Sequence, residues 1–189
     1  MEIELTDGNI LIRPFRADDV DAVFEAVRES IGHLSPWMQW CHPDYSRDET
    51  LAFINSRPHD WSADQAYTFA IIDAATNAFL GSVGLNFINR QYQMANLGYW
   101  VRASATKRGV ASTATRLLAR FGFRELGFQR LEIVAAVGNH PSQRAAEKAG
   151  AKREGVLRKR LLINKQPQDA ALYSLVAEDL EEPRDEAKR

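Results

Sequence analysis

Apolar residues form short strand-like runs in some segments of the chain and recur at helical spacing in others. The clearest pattern lies at residues 96–150. An apolar run at residues 97–101 predicts a strand, and a basic loop then leads to apolar residues at helical spacing from Val110 onward. A second apolar run at residues 131–137 predicts a strand that is buried on both faces. A short helix follows and is expected to end at Gly150. This order of strand, helix and strand predicts a βαβ unit.

The segments on either side of this unit predict a mixed α/β fold. Before it, the pattern indicates one strand, two helices and an antiparallel meander, and after it two more strands joined by a turn. We therefore expect a mostly antiparallel, twisted sheet of about seven strands with helices on both faces. The other predicted strands are at residues 10–14, 67–72, 79–87, 152–163 and 170–177, and the strand that leads into the unit extends over residues 91–101. Of the two predicted helices before the meander, one begins at Asp18 and the other covers residues 48–61.

The loop after the strand at residues 97–101 is a candidate anion site. Gly109 lies where this loop becomes a helix, and glycine permits a tight turn and a close approach of a ligand to the backbone. The first amides of a helix have no partner within the helix and lie at the positive end of its dipole. Together with Lys107 and Arg108 they suit a phosphate or pyrophosphate, although the two cations are also explained as solvated surface charges.

The end of the second strand carries another candidate binding residue. Asn139 follows that strand and is a candidate N-cap for the next helix, whose first turn contains Pro141. Ligands of such sheets bind at the carboxyl ends of the strands, so Gly109 and Asn139 are expected to lie at one site. Gly81 and Gly84 lie inside a predicted strand, where they indicate a bulge or a close backbone contact.

Composition narrows the class of protein. With 189 residues, 45% of them hydrophobic, the chain can bury one core, and we expect one domain at residues 1–180 and a charged tail at residues 181–189. A formal net charge of −1 argues against a general attraction to nucleic acid or membranes. A single cysteine, Cys41, and the lack of an apolar span or signal peptide predict a cytoplasmic protein. Cys41 and the histidines do not follow metal-ligand spacing, so no metal site is expected.

Five motifs occur in a fixed order on these elements. They are Leu34-Ser-Pro-Trp37-Met-Gln-Trp40, Leu97-Gly-Tyr-Trp100-Val, Arg108-Gly-Val-Ala111, Asn139-His-Pro-Ser142 with Glu147-Lys-Ala-Gly150-Ala, and Asp169-Ala-Ala-Leu-Tyr173-Ser-Leu. In this order they resemble the GNAT superfamily of acyl-CoA N-acyltransferases. Within it the chain is most similar to the RimJ/RimL type, which acetylates protein N-termini, notably of ribosomal proteins. The resemblance covers nearly the whole chain.

The resemblance implies an acetyl-CoA-dependent N-acetyltransferase in which the amine attacks the thioester directly. Asn139 would bind a pantetheine amide, and Ser142 would lie near the sulfur. A backbone amide of Trp100 or Val101 would stabilise the developing oxyanion, while Tyr173 either lines the acceptor cleft or packs in its strand. The implied cofactor-binding residues are Trp100, Val101, Arg102, Lys107, Arg108, Gly109, Val110, Ala111, Ser112, Asn139 and Ser142.

The sequence departs from the family pattern at three positions. Thr106 stands where the phosphate loop usually begins with glutamine or arginine. Ala146 stands where many members carry the tyrosine that protonates the leaving thiolate, so Ser142 is assigned that role. Asn96 stands where relatives often carry a glutamate, which leaves the general base unassigned.

The acceptor side is less well defined by the sequence. Trp37, Trp40, His33 and Asn96 are the candidates for substrate contact, although the tryptophans also suit a role as core cover. The candidate bases, each also explained as a surface residue, are His33, His42, Glu25 and Glu29.

Several functional alternatives therefore stay open. The acceptor is a protein N-terminus, for instance of a ribosomal protein, or a small amine such as a polyamine or aminoglycoside. A non-catalytic acyl-CoA-binding module is the alternative from another class. Transfer of a longer acyl chain depends on the space near Leu85, Tyr99 and Trp100, and the aromatic segment between the first two helices could form a homodimer contact as readily as a pocket.

Overall fold

The computed structural model describes residues 3–180, and these residues build one eight-stranded sheet in the order β1-β2-β3-β4-β5-β6-β8-β7. Short 3₁₀ turns precede α1, follow β5 and follow β8. The strands are β1 Leu5–Thr6, β2 Ile10–Pro14, β3 Tyr67–Asp73, β4 Phe79–Asn89, β5 Met94–Val101, β6 Arg130–Ala136, β7 Lys152–Ile163 and β8 Gln166–Leu175, and the helices are α1 Val20–Leu34, α2 Arg47–Ser62, α3 Val110–Arg124 and α4 His140–Lys148.

Every neighbouring pair of strands is antiparallel except β5 and β6, which are parallel. These two strands pair only between Met94 and Asn96 on β5 and between Arg130 and Glu132 on β6. Beyond that point β5 continues to pair with β4, whereas β6 continues to pair with β8. The sheet therefore opens into a fork, formed by residues 97–101 of β5 and residues 133–136 of β6.

The helices cover both faces of the sheet. One core contains α3 residues such as Leu118 and the α4 residue Ala146, packed on strand residues such as Leu97. The other core joins α1 and α2 to the opposite side of β3 and β4. Because successive strand residues point to opposite faces, β5 and β6 present alternate residues to these two layers.

The structure confirms most of the predicted elements and corrects some of them. β1 is an eighth strand that was not predicted, and β8 begins at Gln166 rather than at residue 170. Asp19, not Asp18, is the N-cap of α1, because a 3₁₀ turn over Ala17–Asp19 precedes the helix.

The prediction that β6 is buried on both faces is wrong. Leu131, Ile133 and Ala135 are buried, while the residues between them are partly exposed. The helices that cover the other face of the sheet pack on β3 and β4, so one face of β6 stays accessible. The predicted tail at residues 181–189 lies outside the described residues. No helix within residues 3–180 is long and apolar enough to cross a membrane.

Candidate functional site

The backbone of β5 presents alternate residues to the open side of the fork. Arg102 N–H donates to the carbonyl O of Leu80, and a Cβ placed on Gly81 would lie 2.2 Å from the carbonyl O of Trp100. Both contacts direct the backbone groups of residues 100 and 102 toward β4. Since these groups alternate along a strand, those of Tyr99 and Val101 face the fork. The donor for an oxyanion therefore fits Val101, or Tyr99, and not Trp100.

The Gly81 contact also confirms the predicted close approach in β4. Gly81 has a φ of +152° and lies where the register with β3 shifts by one residue. Because no side chain fits between Gly81 and the Trp100 carbonyl, this glycine allows β4 and β5 to run close together at the fork.

The basic loop, residues 102–109, ends in the predicted glycine turn. Gly109 is the N-cap of α3 and has a left-handed φ of 79°. The Ser112 hydroxyl donates 2.9 Å back to the Gly109 carbonyl, so this side chain is engaged within the turn. The amides of Val110, Ala111 and Ser112 form the first turn of α3, where backbone N–H groups have no partner within a helix. This arrangement suits an anion.

The two cations of the basic loop differ in their surroundings. Arg108 extends toward Asp73, with 3.4 Å between its Nη2 and the carboxylate. Lys107 has a left-handed φ of 63° and an exposed side chain. A cavity of about 370 Å³ opens beside Arg108 and Gly109. Arg108 therefore lies beside this cavity and is partly engaged by Asp73, whereas Lys107 makes no ion pair within residues 3–180.

Helix α1 fixes the start of the basic loop through Glu29. Its Oε1 accepts the Ser104 N–H at 2.7 Å, and its Oε2 accepts from the Arg102 guanidinium. The next residue, Ser30, accepts the Ala103 N–H at 3.0 Å through its hydroxyl. The hydrogen bond from Arg102 is the main reason that the pKa of Glu29 is lowered to about 2. Glu29 is therefore a loop anchor, and the prediction that it acts as a base is not supported.

Asn139 is the N-cap of α4, as predicted. Its Oδ1 accepts the Ser142 N–H at 3.2 Å, and Pro141 lies in the first turn. Within residues 3–180 the Nδ2 of Asn139 has no hydrogen-bond partner, so it can donate to a ligand while Oδ1 caps the helix. Capping and ligand binding are therefore compatible.

Tyr99 crosses the fork and contacts the first turn of α4. Its hydroxyl donates 2.7 Å to the carbonyl O of Ser142, and the Ser142 hydroxyl lies 3.3 Å from the Tyr99 oxygen. Burial raises the pKa of Tyr99 to about 12, so the phenol is protonated at neutral pH. From the sequence, Tyr99 is a candidate only for contact with the acyl chain. Its role in the fork follows from strand alternation, because Leu97, Tyr99 and Val101 are the alternate residues whose backbone faces the fork.

Tyr173 packs in β8 rather than lining a cleft. Its side chain is 1% exposed, and its hydroxyl donates 2.9 Å to Glu147 of α4. Ala146, one residue earlier in α4, is fully buried, so the position of the absent family tyrosine is filled by core packing. Of the two interpretations of Tyr173, the structure favours packing.

The connector, residues 35–46 between α1 and α2, spans the mouth of the fork. A Cβ on Gly138, just after β6, would lie 3.5 Å from the Trp37 ring. Trp40 packs on Trp100 of β5 with 5.7 Å between the ring centroids. The side chain of Gln39 contacts the carbonyl O of Leu162 near the end of β7. The connector thus contacts both arms of the fork, which brings Trp37 and Trp40 to its mouth.

The other predicted acceptor-side residues have existing partners. The Nε2 of His33 lies 3.0 Å from the Val101 carbonyl O and must donate to it. Asn96 donates 2.9 Å from Nδ2 to the Asn86 side chain. His33 lies at the end of the β5 arm and Asn96 at the root of the fork. The Asn96 amide is not basic, whereas donation from Nε2 leaves Nδ1 as the His33 nitrogen that can accept a proton.

The two remaining candidate bases differ in their surroundings. His42 lies 2.9 Å from the Glu49 carboxylate, which fixes its ring beside α2. Glu25 is exposed on α1.

Glu132 is a carboxylate that the sequence analysis missed. It pairs in register with Asn96 at the root of the fork, on the sheet face opposite the buried residues Leu131 and Ile133. Arg130 lies between it and a second carboxylate, 3.0 Å from Glu132 and 2.7 Å from Glu154. Within β5 and the described part of β6, Glu132 is the only acidic side chain. The parallel register that brings it beside Asn96 is a tertiary feature.

A larger cavity than the one beside Gly109 lies at the opposite end of the sheet. It has a volume of about 1040 Å³ and is lined by the ends of β2, α2 and α3. Its arginines are already paired, Arg13 with Asp19 and Arg57 with Asp60. Acyl-group chemistry is therefore not assigned there. Within residues 3–180, no three His, Cys, Asp or Glu residues are grouped so that they could hold a metal ion.

Comparisons with known proteins agree with this geometry. The sequence profile of the acetyltransferase (GNAT) domain family matches residues 9–152. "Putative ribosomal N-acetyltransferase YdaF" of Bacillus subtilis is 27% identical over 175 residues, which cover 92% of this chain and 94% of YdaF.

Solved structures show the same fold. A "putative ribosomal-protein-serine acetyltransferase" from Vibrio cholerae is 27% identical, with a TM-score of 0.78 and coverage of 92% of this chain and 97% of that one. RimL, a ribosomal L7/L12 α-N-protein acetyltransferase in complex with coenzyme A, is 20% identical, with a TM-score of 0.85 and coverage of 95% and 100%. These matches confirm the predicted fold of a mixed, mostly antiparallel sheet with helices on both faces.

Proposed function

Since this chain belongs to the GNAT acetyltransferase family and is an N-acetyltransferase that uses acetyl-CoA, we propose that its acceptor is a protein N-terminal α-amino group. The observation that carries this proposal is the near full-length similarity to the protein named as a ribosomal N-acetyltransferase in Bacillus subtilis.

On this proposal, acetyl-CoA lies along the α3 and α4 face of the fork. The amides of Val110, Ala111 and Ser112 receive the diphosphate, with Lys107 and Arg108 beside it. Tyr99 and Val101 present the backbone groups with which pantetheine would pair, rather than the predicted Arg102, whose N–H is bonded to Leu80, and Asn139 donates from Nδ2 to a pantetheine amide. A thioester supplies an acyl carbon that is already activated, so positioning of the two reactants accounts for much of the rate gain.

The groups that act on the reacting atoms would then come from both arms of the fork. The backbone N–H of Val101 stabilises negative charge on the carbonyl oxygen. As the amine nitrogen bonds to the carbonyl carbon and the carbon–sulfur bond breaks, the Ser142 hydroxyl would donate its proton to the thiolate and take back a proton from solvent. Tyr99 acts as a positioning residue, because it holds the Ser142 backbone and lies beside the Ser142 hydroxyl.

A protonated amine cannot attack, so a group on the acceptor side must remove a proton. Glu132 is our candidate, since it stands beside Asn96 on the sheet face that the connector also covers. At about 3.3 Å per residue, Tyr99 lies roughly 10 Å along β5 from that level, so water would carry the proton to Glu132.

A thiol-release assay with acetyl-CoA tests the proposed function. The acceptors are peptides with free N-termini, the same peptides with blocked N-termini, polyamines and aminoglycosides. We expect turnover only with free peptide N-termini. Turnover confined to polyamines or aminoglycosides would show that the acceptor is a small amine and not a protein N-terminus. Tight acetyl-CoA binding without turnover of any amine would favour a non-catalytic binding module.

Ser142→Ala tests the assigned acid. The variant should lower kcat by about a hundredfold, the lower end of the usual general-acid contribution, with little change in acetyl-CoA affinity. Ser104→Ala is a matched control, since the loop contact of Ser104 is made by its backbone N–H. An unchanged kcat in Ser142→Ala would remove Ser142 from the mechanism.

A further inference from the structure

Strand β7 contains an irregularity made of three consecutive basic residues, Arg158, Lys159 and Arg160. We call them the basic bulge. Three residues of β7 face one residue of β8 there, and the N–H of Lys159, whose φ is 52°, donates 2.8 Å to the Asp169 side chain. The flanking register pairs are Leu157 with Ala170 and Leu161 with Gln168.

The charges of the basic bulge are not neutralised by the described chain. All three side chains are exposed, and within residues 3–180 none of them lies within 4.0 Å of a carboxylate. Some exposed arginines elsewhere are paired, for example Arg47 with Asp21 and Arg90 with Asp64, whereas Arg120 and Arg124 of α3 also lack a carboxylate within 4.0 Å among residues 3–180. Three adjacent cations without a partner create a local positive field that attracts acidic groups.

The topology brings the basic bulge to the mouth of the fork. Ala170 pairs both with Leu157, next to the bulge, and with Ala136 at the end of β6. Two strand spacings of about 4.8 Å therefore separate the bulge from the β6 arm. Two residues after Arg160, the carbonyl O of Leu162 meets Gln39 of the connector. A bulge bends its strand, and this bend lies where the hairpin turns toward the connector.

We infer that the basic bulge binds acidic side chains of the acceptor polypeptide, a few residues after the amine that is acetylated. This inference rests on the proposed function. A strand of three residues spans about 10 Å, which matches the two strand spacings between the β6 arm and the bulge. The acidic residues are therefore expected at positions three to five of the acceptor. A nucleic acid fits less well, since the overall net charge is −1.

The test uses two acceptor peptides of equal length with the same first two residues. One has glutamate at positions three to five and the other has glutamine. Thiol release is measured for the wild type, for the double variant R158Q/R160Q and for the control R120Q/R124Q, which removes two exposed charges from α3. Lys159 is retained because its left-handed backbone would confound a substitution.

We expect R158Q/R160Q to raise KM for the acidic peptide about tenfold, as for the loss of two exposed ion pairs, with kcat unchanged. KM for the glutamine peptide, and both KM values in R120Q/R124Q, should stay as in the wild type. The wild-type preference for the acidic peptide should shrink as salt is raised.

Each other outcome overturns the inference in a recognisable way. Equal KM values for the two peptides in the wild type would reject the basic bulge as a peptide site and leave the proposed function intact. Turnover of polyamines with neither peptide would reject both. If a fluorescent single-stranded RNA binds the wild type but not R158Q/R160Q while the peptides behave alike, the bulge is a nucleic-acid site instead.

Discussion

The hydroxyl of Tyr99 on β5 donates a hydrogen bond of 2.7 Å to the carbonyl O of Ser142 on α4. Since β5 and β6 stop pairing at Asn96 and Glu132, no backbone ladder holds the two arms together at this level. A partly buried phenol with a pKa of about 12 therefore joins β5 to the helix that follows β6. The contact also fixes the residue assigned to protonate the leaving thiolate.

We expect Tyr99→Phe to lower the free energy of unfolding by about 1 kcal/mol, because the Ser142 carbonyl loses its partner. kcat should fall by about tenfold while acetyl-CoA affinity changes little, because Ser142 is displaced rather than removed. Urea unfolding and thiol release measure the two effects. Tyr92→Phe, at an exposed position, is the control, and a loss of stability with unchanged kcat would show that the contact is only structural.

Gly109→Ala tests the helix start as an anion site. The left-handed φ of 79° strains any residue with a Cβ by about 1 kcal/mol, although the space around it is open. The loop should relax away from this conformation, and acetyl-CoA affinity measured by calorimetry should fall about tenfold. Gly32→Ala, in the last turn of α1 with nothing near its Cβ, should instead stabilise the protein by about 0.5–1 kcal/mol and leave affinity unchanged. Unchanged affinity in Gly109→Ala would move the diphosphate elsewhere.

The ion pair of Glu29 predicts a pH dependence of stability. Its pKa is lowered from the ordinary value of 4.5 to about 2 in the folded protein, mainly by Arg102. A lowered carboxylate pKa contributes stability above the unfolded value, and this contribution is lost as the pH falls from about 5 to about 2. Because the side chain is 30% exposed, we expect only about 1 kcal/mol. Glu29→Gln should reduce the acid sensitivity of urea unfolding, whereas Glu25→Gln, exposed on the same helix, should not.

Glu132→Gln tests the proposed proton acceptor against a neighbouring carboxylate. If Glu132 removes the amine proton, the variant should lower kcat/KM by about a hundredfold. Glu154→Gln is the matched control, because it shares Arg130 but lies on β7, away from Asn96. Equal losses in both variants would mean that the two glutamates only organise Arg130.

Much of the fold was predictable from the sequence because its signals are local. Apolar runs, helical spacing and caps identified most of the elements, and Gly109 and Asn139 were found because a left-handed turn and an N-cap need particular residues. β1 was missed, since two residues carry no periodicity. The burial of β6 was misjudged because an apolar run does not reveal which face a helix covers.

The sequence by itself determined which residues could bind an anion, cap a helix or form a strand, since those properties depend on each residue and its close neighbours. Only the tertiary structure decided how they combine. The single parallel pairing brings Glu132 beside Asn96, and strand alternation turns the backbone of Tyr99 and Val101 toward the fork. The same long-range contacts engage Glu29 with Arg102 and bury Tyr173. Such relationships join residues far apart in the chain, and no local pattern encodes them.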